Sequence, residues 1–136
     1  MAVGVAQAAF EAGLRYSQQR SAFGQPICQH QAVQLKLADM ATRITASRLL
    51  TYRAAEQVDA DAASGALTAL MARVDAAETA RLVTLEAMRI HGGYGYTREF
   101  PVERLYRDAA WLLVTPRDPV AERRELARRW LAASAV

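Results

Sequence analysis

The residues best suited to chemistry lie at positions 88–109, MRIHGGYGYTREFPVERLYRDA. A helix-like run reaches His91, the adjacent glycines Gly92 and Gly93 stop it, and Tyr94, Gly95 and Tyr96 follow. Glycine tolerates positive φ and lets the backbone come close to another group. Three of the chain's seven glycines fall between residues 92 and 95. That spacing suits either a plain helix stop or a loop pressed against something flat or charged. Arg20 is a second candidate. It ends the first helical run, where a cation either complements the helix dipole or offers a guanidinium to phosphate or carboxylate. Lys36 is the only lysine among 17 basic residues. The arginines are interspersed with 14 acidic residues, for a net charge of +3. Most of them therefore read as solvated helix faces, and there is no basic stripe with interleaved aromatics to take nucleic acid.

Other chemistries lack their residues. A di-metal site in a helical bundle needs Glu-x-x-His pairs, but Ile27 and Met88 stand three residues before His30 and His91, the two histidines of the chain. Cys28 lies near His30 without a third orienting group, so a small residue at a turn is expected rather than a nucleophile. No strand precedes Gly92, as a phosphate-binding or dinucleotide loop requires. Arg104, Arg107 and Asp108 are expected to lace their helix into the bundle by ion pairs. A single cysteine fits a reducing compartment. With no basic leader and no apolar run near the roughly 20 residues of a membrane span, a cytoplasmic location is expected.

The elements that position these residues are helices. Val3, Ala6, Phe10 and Leu14 recur at helical spacing from the start of the chain. No capping residue precedes Val3, which reads either as a helix cut from something longer or as simple fraying. Gly24 and Pro26 mark a turn. From His30 to about Ala60 there is no Gly or Pro, and Val33, Leu37, Met40 and Ile44, continued by Leu49, Leu50 and Tyr52, predict a long amphipathic helix. Asp59 or Asp61 should cap the next one. It runs to His91 on a stripe of Leu67, Leu70, Val74, Ala77, Leu82, Leu85 and Met88, with Gly65 as its weak point. A short helix follows Pro101, and Asp118-Pro119 opens the last. No strand pattern is visible. The expected fold is all-α, an antiparallel up-and-down four-helix bundle with one short extra helix, in one domain over residues 1–136.

The stretch HGGYGYTREFPVERLYRDA resembles the C-terminal helical domain of the flavin-dependent acyl-CoA dehydrogenases. So do RSAFGQPICQHQAVQLKLADM, residues 20–40, and the opening GVAQAAFEAGLRYSQQR. The likeness covers essentially the whole chain in the family's order. It implies a four-helix bundle, FAD, and oxidation of an acyl-CoA thioester at its α and β carbons. In that reaction a carboxylate takes the α proton and the flavin accepts a hydride. Complete members carry two further domains ahead of this one. By the same resemblance, Arg20 matches an arginine that reaches the diphosphate of FAD held by a neighbouring subunit. Phe23 matches an aromatic residue beside the adenosine, and Gln31 a glutamine bonded to the same cofactor. Ile90, His91, Gly92 and Gly93 match the loop whose backbone approaches FAD. Arg89 stands where members usually carry glutamine, and its charge is compatible with phosphate.

The departure comes after Ala109. Members commonly continue into Tyr-Glu-Gly-Thr-Ser-Glu, whose first Glu is the catalytic base. Counting on from Arg107-Asp108-Ala109, Pro116 takes that place and Arg117 the glycine's. A subset of the family instead carries the base on the first helix of this domain, before the part seen here. No catalytic residue is therefore assigned, and Asp118 and Glu122, though near, have nothing to place them at a substrate. General-base catalysis contributes ~10²–10⁴-fold, so the chain by itself is expected to be inactive. The alternative is a non-catalytic assembly module, pairing with itself or with a flavin-bearing relative. Acyl-CoA is a ligand only for the complete enzyme.

Overall fold

A computed structural model describes residues 1–115 and 118–133. Five helices carry the fold: α1 (Ala2–Gln19), α2 (Gln31–Ala60), α3 (Ala62–His91), α4 (Val102–Val114) and α5 (Pro119–Ala133). Short 3-10 segments occupy Ile27–Gln29 and Gly92–Tyr96. Among the described residues, no helix is long and apolar enough to cross a membrane.

Local chemistry explains the breaks. Asp61 is the one residue between α2 and α3, and its carboxylate accepts the Ala63 and Ser64 amides at 3.2 and 3.1 Å. The same bonds hold its carboxyl below the usual range. Asp118 accepts the Val120 and Ala121 amides at 3.1 and 3.3 Å, with Pro119 as the first helical residue of α5. Gly92 ends α3 at φ 60° and ψ −134°, a conformation that a side chain rarely allows.

With a one-residue link, α2 and α3 must run antiparallel. Near its end α1 meets the end of α3, where a Cβ added at Gly13 would lie 3.6–3.7 Å from Ile90 and Ala87. So α1 and α3 are parallel, and the order is up and down as expected. Helix α3 is central and packs against α1, α2, α4 and α5. The short helix α4 joins α1 and α3 in the main packing, while α5 lies on α3.

The core differs from the expected stripes. On α2, Met40 and Ile44 are buried, but Leu49 and Tyr52 are mostly exposed, and the buried face continues through Ser47 and Ala54. On α3 the buried residues up to Ala87 are small (Gly65, Ala72, Ala76, Thr79, Ala80, Val83, Thr84 and Ala87), and the larger Ile90 and His91 are buried only at its end. The larger residues of the predicted stripe are half-buried. A helix with neighbours on several sides keeps its small residues at the tightest crossings. Gly65 belongs to this pattern, since a Cβ there would fall 2.5 Å from the Val58 backbone nitrogen. It is a contact requirement rather than a weak point.

Two further expectations are corrected. A small antiparallel ladder exists, β1 (Ser21–Ala22) against β2 (Gln25–Pro26). Its two-residue turn, Phe23-Gly24, has φ of 53° and 83°, the doubly positive geometry of tight hairpins. Two residues per strand are too few for an alternating pattern. Arg107 pairs at 2.8 Å with Glu103 of its own helix, which supports α4 without tying it to a neighbour.

Candidate functional site

The ends of α1 and α3 meet the segment after Gly92 and enclose a cleft of about 450 Å³. Its walls include Tyr16, Arg20, Ile90, His91, Gly92 and Gly93, together with Ile27 and Thr97. Five of the eight residues singled out from the sequence therefore converge. Their convergence follows from helix geometry: Tyr16 and Arg20 are one turn apart on or just past α1, and Ile90 to Gly93 form the end of α3.

Arg20 is exposed at the rim. Its amide bonds the Tyr16 carbonyl at 2.9 Å, and its carbonyl accepts the Ile27 amide at 2.9 Å. The second bond closes the base of the β1–β2 hairpin, so the hairpin springs from the rim of the cleft. His30 ties the hairpin down. Gln25 Nε2 lies 3.2 Å from His30 Nδ1, and His30 Nε2 lies 3.1 Å from the Ala22 carbonyl. These partners place the ring proton on Nε2. Cys28 is half-buried in the following 3-10 segment.

His91 is buried, and its Nδ1 donates to the Ala87 carbonyl at 2.8 Å. Burial lowers its pKa, partly offset by that bond. It thus enters the cleft as a neutral ring, stacked on Tyr16 with centroids 4.2 Å apart and planes 23° apart. Tyr16 was not singled out from the sequence. The available signal was its place one helical turn before Arg20.

The three glycines do different work. Gly92 supplies the positive φ, and Gly95 lets the segment press onto α3, since a Cβ there would lie 2.6 Å from the Met88 carbonyl oxygen. Gly93 is exposed with open space where a Cβ would be. Its backbone is therefore accessible to a ligand.

The other three predicted residues stand outside the lining. Phe23, 96% exposed, sits at the hairpin tip with His30 edge-on at 6.1 Å. Gln31 is exposed at the start of α2. Arg89 is exposed and pairs with Glu86 one turn back. Burial raises the Glu86 carboxyl, but Lys36 and Arg89 together carry it below its usual range. Glu122 is buried on α5 and paired with Arg73 at 2.5 Å, which makes it a packing contact. The expected substitution of the base at Pro116, with Arg117, lies outside the described residues.

Chemically, the cleft offers a neutral aromatic floor, accessible glycine backbone and one exposed guanidinium. Among the described residues, no carboxylate lines it. The ends of α1 and α3 carry partial negative charge, so an anion here depends on Arg20. The arrangement suits binding of a flat, anionic ligand rather than proton transfer. A larger hollow of about 800 Å³, alanine-rich and bounded by Met1, Ala54, Ala72, Ala76 and Trp111, lies elsewhere and holds none of the predicted residues.

Comparison with known proteins gives the same assignment from several directions. Residues 1–114 match the family model described as acyl-CoA dehydrogenase, C-terminal domain. The chain is 44% identical over 108 residues to cyclohexane-1-carbonyl-CoA dehydrogenase of Geobacter metallireducens, covering 79% of this chain and 28% of that protein. It is 48% identical to the mitochondrial short-chain specific acyl-CoA dehydrogenase of Bos taurus, again over 79% of this chain but 26% of the relative. The solved butyryl-CoA dehydrogenase of Megasphaera elsdenii superposes with a TM-score of 0.90 at 37% identity, over 96% of this chain and 34% of the other. The chain thus spans about a quarter to a third of the length of these relatives.

Proposed function

The chain belongs to the acyl-CoA dehydrogenase family, as its C-terminal domain, and we propose that it presents one wall of an FAD site in an enzyme that dehydrogenates acyl-CoA thioesters. The observation that carries this reading is the convergence of Arg20 with the Gly92-Gly93 backbone in one cleft. Arg20 holds the diphosphate. The open glycine backbone and the rings beneath it face the rest of the cofactor, while Phe23 and Gln31, on the hairpin and the start of α2, flank the adenosine side. Arg89 is held back by Glu86 and contributes charge at a distance. Bound FAD would supply the hydride acceptor, and the chain's own residues bind and orient it. We take residues 1–136 as one domain of this kind, cytoplasmic, and without dehydrogenase activity on its own. Acyl-CoA becomes a substrate where the remaining domains complete the pocket.

The test is FAD binding followed by calorimetry. Arg20→Gln should weaken binding by about tenfold, the scale of a lost charge-assisted hydrogen bond. ADP should compete with FAD more strongly than riboflavin, which lacks the diphosphate that Arg20 holds. Equal affinity in the variant would remove Arg20 from the site.

A second reading is an assembly module that pairs with itself or with a flavin-bearing relative. It is favoured by the open alanine-rich hollow, beside which Trp111 is 58% exposed. Apolar surface of this kind marks a place for another chain or domain.

A further inference from the structure

Two elements bring ligand groups to the cleft, and one side chain joins them. Arg20 follows α1, and the Gly92-Gly93 turn follows α3. Gly95 seats the turn's segment on the α3 backbone, which ties it to α3 and not to α1. Gly92 and Gly93 are exposed, and Gly92 takes a φ of 60° for which glycine has no strong intrinsic preference. His91 is anchored within its own helix through the Ala87 carbonyl, a bond that says nothing about where α1 lies. Helices α1 and α3 pack through Gly13 against Ile90 and Ala87, and the Tyr16 ring extends that contact to the two sides of the turn. It stacks on His91 at 4.2 Å, meets Phe100 edge-on at 5.5 Å, and has Tyr94 tilted over it at 6.4 Å. Phe100 in turn lies 5.2 Å from His91 and 5.7 Å from Tyr94. Tyr16 thus touches rings on both sides of the glycines, and its own carbonyl accepts the Arg20 amide.

We infer that Tyr16 is a positioning residue: its ring clamps His91 and Tyr94 and so sets the distance between the Gly92-Gly93 turn and Arg20. The ring performs this work rather than the hydroxyl, because its contacts with His91, Phe100 and Tyr94 are between rings, stacked, edge-on and tilted in turn. The inference rests on the FAD reading only for the purpose of the spacing, not for the clamp itself.

Amide hydrogen exchange and ADP binding on the intact chain separate the two. The Gly92 amide bonds the Arg89 carbonyl and reports the order of the turn. The Asp61 amide, bonded to the Gln57 carbonyl at 2.9 Å at the other end of α3, reports the bundle. Tyr16→Leu should speed exchange at Gly92 by about tenfold and weaken ADP by about fivefold, the scale of lost aromatic pairs, with Asp61 unchanged. Tyr16→Phe should restore both. Unchanged exchange at Gly92 in Tyr16→Leu, or failure of Tyr16→Phe to restore it, overturns the inference. If Tyr16→Leu does not fold, His91→Leu removes the same stack and should give the same acceleration; unchanged exchange there overturns it too. If the wild-type chain binds no ADP while the exchange pattern holds, the cofactor reading fails and the clamp stands.

Discussion

At the scale of single residues, the cleft combines one exposed charge with one suppressed charge. Arg20 remains available to an anion, whereas burial lowers the pKa of His91 and keeps the ring neutral. The suppressed charge has a stability consequence. An unfolded histidine takes its proton near pH 6.5, and native His91 takes it only at lower pH. Between those values the unfolded chain binds more protons, so stability is full above about pH 6.5 and falls as the pH drops through the native pKa. Urea unfolding at pH 7.5 and 5.5 should show this loss in the wild type. His91→Phe, which keeps a neutral ring against Tyr16, should lose less. Equal losses in both proteins would mean that His91 does not titrate across the folding transition. Carboxylates held low by their partners, such as Glu78 beside Arg81, lose their contribution below this window.

At the scale of elements, contact between small residues decides how the helices cross. Gly65 illustrates the conflict between local and tertiary preference. In an isolated helix, alanine would be better than glycine by about 1 kcal/mol. Here the added Cβ would meet the α2 backbone at Val58 at 2.5–2.7 Å, and backbone cannot swing aside as a long side chain can. Gly65→Ala should therefore destabilise the chain by about 1 kcal/mol or more despite its better propensity, because overpacking costs about 1–3 kcal/mol. Gly4→Ala, at an exposed helical position with no atom within 4 Å of the added Cβ, should instead be mildly stabilising. Thermal midpoints of the two variants check the pair, and a higher midpoint for Gly65→Ala would show that α2 and α3 can separate without loss. Helix α5 follows another rule. Its hold on α3 includes the pair of buried Glu122 with half-buried Arg73 and a looser Arg123–Glu78 contact at 3.8 Å.

At the scale of the whole molecule, the two concave regions divide the work. The cleft at the ends of α1 and α3 gathers charge, glycine backbone and aromatic rings. The larger hollow gathers alanine and valine, with Met1 and Trp111 at its edges. An apolar hollow of this size invites association. Sedimentation velocity over a wide concentration range should show self-association that tracks concentration, and a strict monomer at high concentration would count against the assembly reading. An acceptor-reduction assay with acyl-CoA checks the companion expectation, and turnover by the purified chain would overturn the view that its catalysis needs further domains.

Much of this protein is determined within a few residues of sequence. The caps at Asp61 and Asp118, the stop at Gly92, the proline opening α5 and the unbroken run of α2 all act through local φ, local hydrogen bonds and helical period, so they are legible before any tertiary contact exists. The family likeness is legible for the same reason, being carried by contiguous motifs. What only the tertiary structure decided are the choices that depend on a neighbour. Large residues mark the stripe that a helix offers, but along most of α3 the small residues are the ones buried, because four other helices approach it. Arg89 could reach phosphate by its chemistry, yet Glu86 and Lys36 determine its surroundings. Phe23 stands exposed because a two-residue hairpin holds it at its tip with positive φ. Tyr16 looks like an ordinary helix residue until the end of α3 places His91 against its face. The Tyr16–His91 contact joins residues 75 positions apart, and no local pattern encodes it.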